Sequence, residues 1–415
     1  MYNPGYYEFF CGVKTVAGHE ALERIPALLE GLGASKPMIV TDKGVAAAGL
    51  VSIVEEALAS GMPAVAVEDD VPVDSDVGTV HRIASVYREA GCDALIAVGG
   101  GSVMDTAKGV NIVVSEEAES LLDFSGAGVL KRPLKPLVAV PTTAGTGSEV
   151  TLVAVINDPS VNRKLLFSSH FLLPDIAVLD PRMTLTLPPH LTAATAMDAM
   201  THAVEAYTCL SKNPISDAFA VEAISLISRN LMDVVKRPED QEGRLALATA
   251  ANLAGIAFSN SMVGMVHTLG HSVGGVCHVA HGTCMSILLP YGLEYNMHKN
   301  GRWTGELLYP IAGEAVYAAT APDKRAEKTV ACIREFNQAL YEATDGRHSR
   351  FFKEVTDRNG NPAVTREHLP AIARTALGDG SIFYNPEEVD YDDALMVMEA
   401  SWAGDPLDLS RVKTA

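Results

Sequence analysis

The sequence predicts an α/β domain with a mainly parallel sheet over residues 1–187, followed by an all-helical domain over residues 188–415. Three observations carry this expectation. Short, almost continuously apolar runs alternate with amphipathic stretches as far as residue 187. Such runs mark strands covered on both faces, and strand–helix alternation builds a parallel sheet. A double proline, Pro188-Pro189, then interrupts the chain, and the pattern beyond it is helical almost to the end. Finally, 415 residues suit two or three domains at roughly 150 residues each.

The elements follow in order. Predicted strands are Pro37–Thr41, Ala64–Val67, Ala94–Val98, Leu137–Val140 and Ile176–Leu179. Helical stretches lie between them, at 19–32, 44–60, 76–90 and 102–114. Residues 151–168 hold more strand-like material, Leu152–Ile156 and Leu165–Phe167, around a turn at Asn157-Asp158-Pro159. After the double proline, apolar spacing of three and four predicts helices at 190–210, 214–236, 241–260, 264–275 and 283–297, with 310–342 and 389–402 in the same style. The polar tail beyond Trp402 is expected to be loosely held.

Composition limits the function. Lys and Arg number 32 against 51 Asp and Glu, a formal charge of −19. This argues against nucleic acid or an anionic membrane as partner, both of which select basic surfaces. It leaves room for a small anion, because helix N-termini bind phosphate without basic side chains. With 48% hydrophobic residues, wholesale disorder is excluded. The six cysteines have no C-x-x-C spacing and read as buried thiols in a reducing compartment. The N-terminus lacks a signal-peptide pattern and no apolar run reaches 18 residues, so a soluble cytoplasmic protein is expected.

Two loops look built for a phosphate-bearing ligand. Gly99-Gly100-Gly101-Ser102 follows a predicted strand and opens a predicted helix. Glycines let the backbone approach a ligand, Ser102 can cap the helix, and its first N–H groups face outward. A glycine turn needed only for packing is the alternative. Thr142, Thr143 and Thr146 sit in a second hydroxyl- and glycine-rich loop after another strand, the end at which open α/β sheets bind ligands. Asp42 ends an earlier strand. It can hold an adenosine ribose and repel a 2′-phosphate, favouring NAD over NADP, or it can simply cap the next helix.

A second constellation suggests a metal. Asp198 and His202 stand four apart on a predicted helix and so share a face. His267, His271, His278 and His281 fall within fifteen residues. A carboxylate with imidazoles suits Fe(II) or Zn(II) better than Ca or Mg. Spacing alone does not say which histidines ligate, and Glu205, one turn beyond His202, can also take part.

Taken together, GGGSVMDTAK at 99–108, PTTAGTGSEVT at 141–151, PDIAVLDP at 174–181, AMDAMTHAVEAY at 196–207 and GMVHTLGHSVGG with the downstream AHG at 264–282 resemble the iron-containing (group III) alcohol dehydrogenase family. The resemblance spans about residues 8 to 402. It implies an N-terminal dinucleotide-binding domain, an all-helical metal-binding domain and an active site in the cleft between them. By motif, the metal ligands match Asp198, His202, His267 and His281, and His278 drops out. His271 matches a histidine that assists proton transfer. Gly99, Gly100, Gly101 and Ser102 match the pyrophosphate loop; Asp105, Thr142, Thr143, Thr146 and Lys164 match other cofactor contacts; Asp42 matches the ribose acid. Phe258 matches an aromatic lining the substrate cleft. The implied reaction is NAD(H)-dependent interconversion of a small alcohol and its aldehyde or ketone, with one divalent metal, Fe(II) ahead of Zn(II). A homodimer or larger homo-oligomer is implied as well. The alternative is a dehydroquinate-synthase-like lyase, also dependent on NAD and metal. Two motifs depart from the pattern. Ala280 stands where proline usually precedes the last ligand, and Asn385-Pro386-Glu387 stands where NPR is frequent, in a region expected to border the far end of the helical domain, so that little is expected to hang on the change.

Overall fold

The computed structural model describes residues 4–59, 61–160 and 163–412. The predicted helix end at Ser60 and the last three residues of the tail lie outside them. The chain forms two compact units, one running from Phe10 to Leu187 and one from Pro188 onward that also takes in the N-terminal residues through Phe9. The Phe9 ring stacks on Phe219 of the second unit with centroids 5.7 Å apart.

The first unit is an α/β layer structure. Its strands are β1 (Lys14–Ala17), β2 (Pro37–Val40), β3 (Ala66–Glu68), β4 (Ala94–Gly99), β5 (Gly126–Ala127), β6 (Leu137–Pro141), β7 (Val153–Asp158), β8 (Arg163–Ser168) and β9 (Ile176–Leu179). Its helices are α1 (Ile25–Gly31), α2 (Lys43–Ala47), α3 (Leu50–Ala59), α4 (Val77–Glu89) and α5 (Gly101–Ser115). Six strands form one parallel sheet in the order β1-β9-β6-β4-β2-β3. Successive residues of its central strands feed opposite cores: Leu95 and Ala97 pack with α4 and α5, whereas Ile96 and Val98 pack with α1 and α3. This double coverage is why the strands read as continuous apolar runs.

Several expectations change. β1 escaped notice because Lys14–Ala17 is a mostly exposed edge strand without an apolar run. The predicted helix 44–60 is broken into α2 and α3 at Gly49, whose φ of +77° no helix can continue. The strand-like segment near 151–168 forms an antiparallel pair, β7 with β8, in which Asn157 and Asp158 lie inside the ladder rather than in the turn. β5 joins them to make a separate three-stranded sheet.

The second unit is helical: α6 (Pro189–Thr208), α7 (Pro214–Lys236), α8 (Gln241–Ser259), α9 (Met265–Cys277), α10 (His281–Glu306), α11 (Leu308–Ala312), α12 (Glu314–Ala319), α13 (Arg325–Ala343), α14 (Leu369–Ala376) and α15 (Tyr391–Ala403). The helical stretch expected at 310–342 consists of α11, α12 and α13, parted near Gly313 and Pro322. The tail is better held than its polarity suggests. Leu407 and Val412 are buried in the same apolar cluster as α9, α10 and α15. Among the described residues no helix is long and apolar enough to cross a membrane.

Candidate active site

In the first unit three candidate loops leave the carboxyl ends of three adjacent strands. Asp42 follows β2, Gly99–Ser102 follow β4, and Thr142–Thr146 follow β6, with β4 paired to β2 on one side and β6 on the other. The chain proceeds from β2 outward to β3, and from β4 the opposite way to β6. The carboxyl ends of β2 and β4 therefore flank a topological switch point, where open sheets bind ligands. The two loops after β4 and β6 approach closely. A Cβ on Gly101 would lie 3.1 Å from Thr146 Cγ2, and one on Gly100 3.5 Å from Thr143 Oγ1. The amide of Thr142 donates to the carbonyl of Gly99 at 3.1 Å.

The expected cap on α5 is corrected here. Gly100, in extended backbone, holds the N-cap position and no side chain caps the helix. Ser102 is already inside the first turn, and its hydroxyl donates to the carbonyl of Val73. Without a side-chain cap, the first turn of α5 suits an anion. Asp42 does cap α2, with Oδ1 accepting from the amide of Val45 at 2.9 Å. Asp105 has both oxygens engaged within the protein, by Ser148 Oγ and the amide of Val155, each at 3.0 Å. Burial pushes its carboxyl up. Lys164 lies on β8, away from the parallel sheet, exposed and paired with Asp74 at 3.3 Å.

One buried cation of this region, Lys108, closes the 99–108 motif. Lys108 donates to the carbonyls of Thr151 and Val153 at 2.8 and 2.9 Å and to Thr151 Oγ1 at 3.0 Å. Burial brings its ammonium down to about 8. It ties α5 to the segment that follows the threonine loop.

The second unit gathers the metal-type residues. Asp198 and His202 share the inner face of α6, His267 lies in the first turn of α9, and His281 begins α10. One ligand atom from each lies within 4.8 Å of all the others. Asp198 Oδ1 is 3.2 Å from His281 Nε2, 3.8 Å from His202 Nδ1 and 4.0 Å from His267 Nε2. Four ligands held at about 2.1 Å in a tetrahedron lie about 3.4 Å apart, so the spread is that of an ion-sized gap. His202 Nδ1 and His267 Nε2 are buried without a hydrogen-bond partner. Such atoms are costly to bury unless something binds them. Burial keeps both imidazoles neutral, His202 down at about 3, while the surrounding histidines hold Asp198 as a carboxylate. Neutral imidazoles and a carboxylate are the forms that coordinate a metal.

Neighbouring groups fix this arrangement. The His202 ring stacks on Phe258 with centroids 4.3 Å apart and meets the His267 ring, tilted by 32°, at 4.4 Å. Glu205 does not reach the ligand atoms. Its carboxylate accepts from the amides of Val266 and His267 and meets His267 Nδ1 at 2.6 Å. Burial raises Glu205 to about 7 despite those amides. Asn385 Oδ1 accepts from the amide of Met265 at 3.1 Å. Glu205 and Asn385 thus cap α9 from elsewhere in the chain. The late motif is therefore not confined to the far end of the unit; it holds the start of the helix that carries His267 and His271.

The proline-to-alanine departure proves mild. Ala280 has φ −57° and ψ 133°, a conformation proline also adopts. His278 ends α9 in the left-handed conformation and lies outside the four-residue group. His271 stands beside it, its ring parallel to that of His281 at 5.3 Å, with Nδ1 2.7 Å from Asp379 Oδ2. Asp379 carried no sequence signal and Asn385 showed only as part of the late motif; their contacts with His271 and Met265 span more than 100 residues.

Comparison with known proteins follows the same division. A family model described as iron-containing alcohol dehydrogenase matches residues 13–181, and one for the C-terminal part of the Fe-containing alcohol dehydrogenase family matches residues 192–402. The chain is 36% identical to the NAD-dependent methanol dehydrogenase of Bacillus methanolicus, over 94% of this chain and 98% of that one. It is 35% identical to the 1,3-propanediol dehydrogenase of Klebsiella pneumoniae, over 89% and 92% of the two chains. Among solved structures, an alcohol dehydrogenase from Oenococcus oeni superimposes with a TM-score of 0.87 at 31% identity, over 96% of this chain and all of that one. These relatives lend nothing to the lyase alternative.

Proposed function

The chain belongs to the iron-containing alcohol dehydrogenase family and is an alcohol oxidoreductase, and on that premise we propose that it interconverts a small alcohol and its aldehyde or ketone with NAD(H) and one divalent ion, Fe(II) ahead of Zn(II). The observation that carries this reading is the set of four ligand atoms, one carboxylate oxygen and three imidazole nitrogens, within 4.8 Å of one another. That donor set is intermediate in softness and fits both ions.

Asp198, His202, His267 and His281 hold the ion. When bound, it supplies Lewis acidity, which acidifies an alcohol hydroxyl and polarises a carbonyl. Bound NAD supplies the hydride acceptor. The open first turn of α5 and the Thr142–Thr146 loop receive the pyrophosphate, and Asp42 receives the adenosine ribose and disfavours a 2′-phosphate. Phe258 keeps the His202 ring in place and presents an apolar edge to a small substrate. His271 takes up the proton that the alcohol loses and passes it to solvent, to which its side chain is 44% exposed.

The reading is tested by incubating protein reconstituted anaerobically with Fe(II) against panels of primary alcohols with NAD or NADP, and of aldehydes with the reduced cofactors. Net, stoichiometric NADH formation or consumption is expected. Cofactor redox that never accumulates across the whole panel would overturn it. His271→Ala is expected to keep its metal, lower kcat and alter the pH profile.

A further inference from the structure

His271 and Asp379 are 108 residues apart in sequence and 2.7 Å apart in space, Nδ1 to Oδ2. The carboxylate is fixed at its other end too, where Oδ1 accepts from the amide of Ser381 at 2.8 Å and caps the short 3-10 turn Gly380–Tyr384. An ionised carboxylate only accepts hydrogen bonds, so the contact places the ring proton on Nδ1 and leaves the lone pair of the neutral ring on Nε2. The same ring is aligned by the parallel ring of His281, and it is the more exposed partner, at 44% against 20% for Asp379. One end of the imidazole is therefore anchored in the protein.

We propose that Asp379 is the positioning residue for His271: its carboxylate holds the ring plane and the Nδ1–H tautomer so that Nε2 is free to accept the proton released in alcohol oxidation. In that step the substrate O–H bond breaks and its proton goes to Nε2, directly or by way of water. The electron pair of the carbon–hydrogen bond leaves as hydride for the oxidised nicotinamide. The ring becomes an imidazolium paired with an ionised Asp379, then returns the proton to solvent. Burial acts to raise the Asp379 carboxyl, but its hydrogen bonds with His271 and Ser381, joined by the His271 charge once that ring is protonated, hold it below its ordinary value. With both oxygens accepting hydrogen bonds, the carboxylate takes the part of the aspartate in a Ser-His-Asp triad, which orients the imidazole and does not itself take up the proton.

The inference rests on the proton-transfer reading of His271, and the experiment separates the two. Asp379→Asn, His271→Ala and the double variant are compared as metal-loaded holoenzymes. Asparagine keeps the size and the cap on Ser381, but it can turn its amide N–H toward Nδ1 and favour the wrong tautomer. Asp379→Asn is expected to retain metal content and the KM for NAD, to lower kcat by about 10- to 100-fold, and to change the pH profile of kcat. Asp379→Ser, which also caps the turn, is expected to lose as much. In the His271→Ala background, Asp379→Asn should cost nothing further. An unchanged kcat in both Asp379 variants, or an equal loss with and without His271, would overturn the positioning role. If instead His271→Ala alone leaves kcat unchanged, the proton-transfer reading itself fails.

Discussion

Glu205 Oε2 lies 2.6 Å from Nδ1 of His267, and the same carboxylate receives the amides of Val266 and His267 at the head of α9. One buried acid therefore does two things. It caps a helix that has no side-chain cap of its own, where a negative charge suits the helix dipole. It also fixes the His267 ring so that Nε2, rather than Nδ1, faces Asp198. A carboxylate behind a ligating histidine sets its tautomer and raises its basicity.

Replacing that acid by its amide tests the second role. Glu205→Gln keeps the shape but cannot accept at both oxygens from three N–H donors. Metal affinity is expected to fall by about 10- to 100-fold, read by competition with a chelator, with the fold retained by circular dichroism. Equal affinity in the variant would show that His267 is oriented by packing alone.

Cofactor preference has a similarly clean test at Asp42. Its side chain caps α2, so a substitution should keep the cap while removing the charge. Asp42→Ser does both, because serine is a good N-cap. The ratio of kcat/KM for NADP to that for NAD is expected to rise by about 10-fold or more, since the repelling carboxylate is gone. An unchanged ratio would mean that the residue only starts a helix.

Acid sensitivity is written at His348. It is buried against Ser286 and Asn337, with Nε2 2.8 Å from Ser286 Oγ, and burial depresses it to about 4 from an ordinary 6.5. The unfolded chain takes up a proton there below about pH 6.5, whereas the folded chain does so only near pH 4. The stability this residue contributes is thus complete above pH 6.5 and lost as pH falls toward 4. Urea midpoints compared between the protein and His348→Gln should converge over that window. Curves that stay parallel would assign the acid sensitivity elsewhere.

What the sequence disclosed depended on range. Asp198 and His202 were visible as a pair because i and i+4 share a helix face, and the parallel sheet was visible because its strands are apolar on both sides. Glu205 showed as a nearby acid on the same helix, but its direction was not readable, since that depends on where α9 packs. Asp379 and Asn385 reach across more than 100 residues, and no local pattern marks such contacts. Ser102 is a residue type that can cap α5, yet Gly100 takes that position and the serine hydroxyl turns to Val73. β1 leaves no mark in the sequence and the C-terminal tail looks loose in it, for one reason. Exposed-looking sequence can still be held by a partner elsewhere, β9 for the strand and the helical core for Leu407 and Val412.

The central claim is that the four-residue cluster is the metal site on which alcohol oxidation depends. Titrating metal-free protein with Fe(II) under anaerobic conditions, while following NADH formation from a primary alcohol, addresses it most directly. The account predicts that activity rises to a plateau at one ion per chain, and that His267→Ala and His281→Ala neither bind the ion nor reach the plateau. Full turnover without added metal, or one-ion binding and normal turnover in either variant, would contradict it.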